Sequence, residues 1–164
     1  MPTPDWDERF RRWLKLTAEM HENAHFTANE SIAWAPLRKP LNACTIALVS
    51  TAGVHLKSQP AHDVLNPHGD PSFREIPGDT RASDLAVDHA HYDTTDANAD
   101  PNCVFPIDRL REAAEAGVVG AVAPLHFGLM GFNPDGRVLR DTTAPVVAER
   151  LLTQGTDAVV LTPG

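Results

Sequence analysis

At 164 residues the chain has the length of one domain, enough for a sizeable core and too little for a second catalytic domain. Its 14 Lys and Arg against 22 Asp and Glu give a net charge of −8, which argues against phosphate-backbone partners and anionic membranes. There is no apolar run near the roughly 20 residues of a membrane span, no apolar stretch in the N-terminal MPTPDWDERFRRW, and only two cysteines, so the expectation is a soluble, cytoplasmic protein from a reducing compartment that binds neither nucleic acid nor membrane.

The first predicted element is a helix from Thr3 to about His21, with Thr3 as N-cap, Pro4 at the first helical position and Asp5, Asp7 and Glu8 favouring the positive end of the dipole. Trp6, Phe10, Trp13, Thr17 and Met20 recur at steps of four and three and draw a mostly apolar stripe, which reads as core or as a subunit contact, the latter implying a homo-oligomer. The pattern dissolves between Glu22 and Pro40. Residues 1–40 therefore read as an N-terminal helix and linker, and 41–164 as the domain proper.

Cys44 to Ser50 is a short, β-branched, nearly continuous apolar run, the mark of a strand buried on both faces and the first of a parallel sheet. Residues 51–105 carry prolines at 60, 67, 71, 77 and 101 and almost no helical periodicity, and long irregular stretches inside a domain are usually functional. Within them Phe73–Pro77 and Leu85–Tyr92 read as short strands. Order returns at Pro106, which opens a helix whose apolar face is Leu110, Ala113 and Ala114 and whose end is marked by Gly117. Val118–Ala123 reads as a buried strand, followed by a second long loop; Thr143 then caps a helix through Leu151 and Leu152 that stops at Gly155, and Asp157–Thr162 reads as another buried strand. Helices leading into apolar strands predict a single α/β domain, a mainly parallel central sheet flanked by helices behind the N-terminal amphipathic helix.

In an open parallel sheet the ligand crevice lies outside the carboxyl ends of the strands. The segments expected there are Thr51–Gln59, Pro124–Gly131 and Pro163–Gly164, with Ser50, Thr51, Lys57 and Gly128 as substrate-binding candidates. Lys57 and His55 could hold an anionic substrate, or Lys57 is a solvated loop residue. Gly128 and Gly131 admit either a ligand or a tight turn. The densest polar cluster is Asp88-His-Ala-His-Tyr-Asp93: if extended, His89 and His91 share a face, and with His55 or His126 they form a three-imidazole set suited to zinc and a metal-bound water. The alternative is a hydrogen-bonded network bracing the loop, with Asp88 and Asp93 orienting the rings. Cys103, ahead of a helix start, is a candidate nucleophile or else a small buried hydrophobe, whereas Cys44 at the entry to a strand is packing. No GxGxxG follows Ser50 and no GxxxxGKS occurs, which argues against dinucleotide and P-loop chemistry.

The strings STAGVHLKSQPAHD (50–63), DHAHYDTTDANADPNCVFPIDRL (88–110) and VAPLHFGLMGF (122–132) resemble the selenoprotein B subunit family of glycine, sarcosine and betaine reductases and its relative in D-proline reductase, over about residues 41–164. In that family the strand resembling Asp157–Thr162 runs into a redox motif of selenocysteine, or cysteine, followed closely by a second cysteine. The resemblance implies that this motif comes directly after Gly164; a UGA codon read as a stop, or natural truncation, would end a chain here. It further implies reductive cleavage of a C–N bond in a small amine or amino acid activated by a carbonyl-bearing, pyruvoyl-type partner subunit, with thiols recycling the selenium. On that reading His55, Lys57, His89, His91, Asp93 and His126 line the pocket as general acids or holders of substrate charge. Two other classes stay open. A metal-dependent hydrolase or lyase would contain metal that is lost on His89→Ala, and a non-catalytic binding subunit would capture a partner chain without turnover.

Overall fold

The computed structural model describes residues 35–89 and 91–163, together with Arg11 and Lys15. The expected helix over residues 3–21 and its aromatic stripe lie outside the described residues. A 3-10 turn at Leu41–Ala43 leads into β1, Thr45–Ser50, whose middle is buried on both faces as its apolar run requires. Then follow β2, Val54–Leu56; β3, Phe73–Pro77; β4, Leu85–Val87; and a short α1, Thr95–Ala99. The second half holds α2, Ile107–Glu115; β5, Ala121–Val122; β6, Leu125–Leu129; a π-helical turn, Leu139–Thr143, running into α3, Ala144–Thr153; and β7, Ala158–Thr162.

The sheet is mainly parallel and built around β1. One edge of β1 pairs with β7 from Ile46↔Ala158 to Ser50↔Thr162. The other edge is shared: β5 pairs with Thr45 and Ile46, and β6 with Val49 and Ser50, all parallel. Antiparallel β3 closes the far side of β6, from Phe73↔Leu129 to Pro77↔Leu125. A separate antiparallel ribbon joins β2 to β4. Both faces of the sheet are covered, as parallel sheets demand. Ile46 and Leu48 pack with Val54, Leu85, Val87, Phe105 and Ile107 on one face, and Phe127, Leu129, Val49 and Phe73 with Val147 and Leu151 of α3 on the other. Each fully buried side chain of this size contributes roughly 1.5–3 kcal/mol of transfer free energy.

Five expectations change. The segment 124–131 is mostly strand β6 rather than a loop, because side chains supply the backbone partners that its broken pattern lacks. The Leu48 amide donates to His126 Nδ1 at 2.8 Å, and the Gln154 carboxamide pairs with both the N–H and C=O of Leu125. The strand expected over Val118–Ala123 shrinks to Ala121–Val122. The expected strand Leu85–Tyr92 stops at Val87, where the Asp88 amide turns back to donate to the Gly53 carbonyl at 3.1 Å. Asp157–Thr162 forms a strand, but a half-exposed one: among the described residues β7 pairs only with β1, and Leu161 is 74% exposed. Thr143 does not cap α3, since helical geometry runs through it and its hydroxyl donates to the Pro71 carbonyl at 2.7 Å. Among the described residues no helix is long and apolar enough to cross a membrane.

Candidate functional site

The carboxyl ends of β1 and β7 meet at a single carbonyl. Ser50 Oγ and Thr162 Oγ1 both donate to the Val104 oxygen, at 3.0 and 2.7 Å, and the Thr51 amide donates to the Thr162 carbonyl at 3.0 Å. Val104 follows a 3-10 turn, Pro101–Cys103, whose Asp100 side chain accepts from the Asn102 amide. The clamp thus fixes the turn that carries the exposed Cys103 directly over the strand ends. Cys103 does not stand at the amino end of α2; Asn102 serves that end, its Oδ1 accepting from the Asp108 amide at 3.0 Å.

Beyond Ser50 the chain crosses β6 closely enough to leave no room for a side chain. A Cβ on Gly128 would lie 1.9 Å from the Val54 oxygen, and one on Gly53, at φ +80°, 2.0 Å from the Asp88 oxygen. The space beside Gly128 is therefore occupied by the protein's own backbone. Ser50 is fully buried and its hydroxyl is engaged internally, also accepting from the Ala52 amide. Half-buried Thr51 lies against Gly131, and Lys57 is exposed and donates to the Ser83 carbonyl at 2.7 Å.

On β2, His55 is 4% exposed and both of its ring nitrogens meet oxygens: Nδ1 lies 2.8 Å from the Leu56 carbonyl and Nε2 2.5 Å from Asp88 Oδ2. The Asp88 side chain is 43% exposed, so the pair runs from the interior to solvent. Asp88 comes just after β4, and the β2–β4 ribbon is what brings residues 33 apart in sequence into contact.

Next to this pair lies a ring cluster. His89 stacks at 4.7 Å on Tyr92, meets His91 edge-on at 6.0 Å, and accepts from the His91 amide through Nδ1 at 3.0 Å. His91 in turn lies 3.9 Å from the Phe132 ring. Burial and the neighbouring His91 push the His89 pKa down, which keeps that ring neutral. The Tyr92 hydroxyl donates to the Ala52 carbonyl at 2.8 Å, and burial, then Cys103, raise its pKa, placing the tyrosine between the crossing segment and the Cys103 turn. Asp93 is a turn residue: its Oδ1 accepts from the Thr95 amide and hydroxyl ahead of α1, and those hydrogen bonds lower its pKa.

His126 is elsewhere. It is fully buried within the sheet, and burial, reinforced by Arg111, lowers its pKa to about 4. The three imidazoles of the expected zinc set do not converge, since His126 is spent on the β1 amide while His89 and His91 face each other edge-on. Among the described residues no group of three or more His, Cys, Asp or Glu is arranged to hold a metal ion.

Sequence reasoning overlooked His62, which is 3% exposed, meets His55 edge-on at 6.2 Å, and has Nδ1 3.4 Å from Asp70 Oδ2. It also left out Thr162 as a partner of Ser50. His62 stands inside the string STAGVHLKSQPAHD, between Ala61 and Asp63, and its place in that string was the available signal.

The profile of the glycine/sarcosine/betaine reductase selenoprotein B family matches residues 15–164. D-proline reductase subunit gamma of Acetoanaerobium sticklandii is 45% identical over 131 residues, which cover 80% of this chain and 53% of that protein. Glycine reductase complex component B subunit gamma is 32% identical over 130 residues in Symbiobacterium thermophilum, covering 77% of this chain and 30% of that protein. Its counterpart in Carboxydothermus hydrogenoformans is 30% identical over 131 residues, covering 77% and 29%. The chain thus spans about half the length of the first of these relatives and under a third of the other two. No solved structure matches it.

Proposed function

Because the chain belongs to the glycine/sarcosine/betaine reductase selenoprotein B family, we propose that it is a subunit of a reductase complex that cleaves a C–N bond of a small amine or amino acid. The observation that supports this reading is the Ser50–Val104–Thr162 clamp, which gathers the ends of β1 and β7 and the Cys103 turn at the edge of the sheet where parallel folds do their chemistry. The family resemblance implies a selenocysteine or cysteine shortly after the strand equivalent to β7. Such a residue would extend from Thr162 to within reach of that edge.

In this reading the nucleophile bonds to the substrate carbon as the C–N electron pair leaves on nitrogen, and the departing nitrogen needs a proton. We assign that proton to the His55–Asp88 pair, in which a buried imidazole is backed by a carboxylate open to solvent. A dithiol then supplies the two electrons that free the product and is oxidised to a disulfide. The substrate would reach the site activated by a carbonyl-bearing partner subunit, as the family resemblance implies, and the relatives' names as components and subunits of complexes support the presence of partner subunits. Among the described residues Cys103 is the exposed thiol, carried on the turn at that edge.

The test is reductive consumption of D-proline, glycine, sarcosine or betaine by the assembled complex containing this protein, with dithiothreitol as electron donor. Turnover of one of these substrates that falls by at least tenfold in His55→Ala supports the assignment. Turnover unaffected by that substitution overturns the role of His55, and no turnover with any of the four overturns the reductase reading.

A further inference from the structure

The His55–Asp88 pair does not end at His55. Behind it lies a second buried imidazole that no step above uses. His62 sits in the loop after β2, its side chain wholly inaccessible, with the His55 ring edge-on at 6.2 Å and 74° between planes. Asp70 Oδ2 lies 3.4 Å from its Nδ1, and Arg74 of β3 lies 3.6 Å beyond that carboxylate. The Val54 carbonyl also faces the ring.

A buried polar ring is costly unless its nitrogens are used, and an apolar side chain would fill the same space without that penalty. Among the described residues neither nitrogen of His62 makes a hydrogen bond, and the charged group nearest to it is Asp70. Burial would raise the Asp70 carboxyl, but hydrogen bonds from the Ser72 hydroxyl and from the Asp63 and Ser72 amides prevail and hold it ionised, at about 2. Arg74 is fixed in turn by donating to the Pro60 and Ala61 carbonyls at 2.8 and 2.9 Å. The result is a row of neighbouring groups, Asp88, His55, His62, Asp70 and Arg74, running from solvent through the β2–β4 ribbon to β3, in which His55 meets His62 through a ring-edge contact and not through a hydrogen bond.

We infer that His62 is a positioning residue for His55: it sets the orientation of that ring from the buried side, as Asp88 does from the solvent side, and anchors it to the Asp70–Arg74 pair. Two positive charges on rings this close in a buried site repel, which leaves His62 as the neutral member of the pair. Burial, then Arg74, disfavour the charged form of His62 and agree with that distribution. The groups facing the two rings are Asp88 and the Leu56 carbonyl on the His55 side, and Asp70, Arg74 and the Val54 carbonyl on the His62 side.

This inference rests on the reading of His55–Asp88 as the proton source, and its test is independent of turnover. Long-range 1H–15N spectra of the full chain resolve each imidazole and report its tautomer and surroundings. In His62→Phe, which keeps a ring in the same space but removes both nitrogens, the ring nitrogen shifts of His55 are expected to move away from their wild-type values. Asp70→Asn is expected to move them as well. Unchanged His55 shifts in a cooperatively folded His62→Phe overturn the positioning role. Should that variant fail to fold, Asp70→Asn decides: a shifted His55 supports the series and an unshifted one overturns it. Intact coupling in a protein whose complex turns over no substrate sinks the reductase reading and leaves the positioning role standing.

Discussion

The amide of Leu48 donates to Nδ1 of His126 at 2.8 Å, so an imidazole fills the rung of the parallel ladder that falls between β5 and β6. Only the neutral ring has an acceptor nitrogen to offer. Lowering the His126 pKa from 6.5 to about 4 therefore makes the fold sensitive to acid. The unfolded chain binds the proton first, so this contribution is fully present above 6.5 and is lost as pH falls through the interval down to about 4. The interval corresponds to about 3 kcal/mol. Urea unfolding of the wild-type chain should show a loss of that order between neutral pH and about pH 4, beyond the loss in His126→Asn. Equal acid losses in the two proteins would show that His126 is not the group responsible.

Gln154 does for Leu125 what His126 does for Leu48, accepting from its amide at 2.8 Å and donating to its carbonyl at 2.9 Å. Gln154→Ala strips both partners from the first residue of β6 and should cost about 2 kcal/mol, with faster hydrogen exchange at Leu125. Gln154→Glu keeps only the acceptor and should fall between the two.

Gly128→Ala should be among the most damaging single-methyl additions in this chain, because its Cβ would lie 1.9 Å from a backbone oxygen that cannot retreat without moving β2. A loss of more than about 3 kcal/mol, or failure to fold, is expected. Gly136→Ala, with nothing within 4 Å of the added carbon, is the matched control and should be nearly neutral. Thermal unfolding of the pair reads the difference directly.

The two thiols should separate cleanly. Cys44 is buried at the entry to β1, and Cys103 is exposed on its turn. An aromatic disulfide reagent should titrate one thiol per folded chain and two in denaturant, and Cys103→Ser should abolish the native reaction. Thr162→Val, which removes one of the two hydroxyls on the Val104 carbonyl, should loosen the turn, raise the Cys103 reaction rate several-fold and lower stability by about 1 kcal/mol.

What could be read from the sequence was what is local. The strand Phe73–Pro77 and the core of β1 are runs whose composition matches their setting, and α2 announces itself by Leu110 and the left-handed Gly117 at its end. The strand β6 was hidden because His126 and Gly128 spoil its periodicity, and each spoils it for a reason that lies elsewhere in the chain: a ring bonded to an amide 78 residues away, a glycine shaped by Val54. The site divides the same way. The histidine-rich segment around 89–91 stood out by density, but the pairings His55–Asp88 and His62–Asp70 depend on the β2–β4 ribbon and the turn at 63–72, which no spacing rule encodes.

β7 carries one further consequence. Its register against β1 is fixed over five consecutive pairs, while the described residues leave its opposite edge free and Leu161 bare to water. Such an edge is a template: any strand laid alongside inherits an alignment already dictated by β1, and where no proper one is at hand a neighbouring molecule will serve. Handled alone, this polypeptide should be adhesive, clumping in proportion to concentration, and a lysine at Leu161 should keep it dispersed.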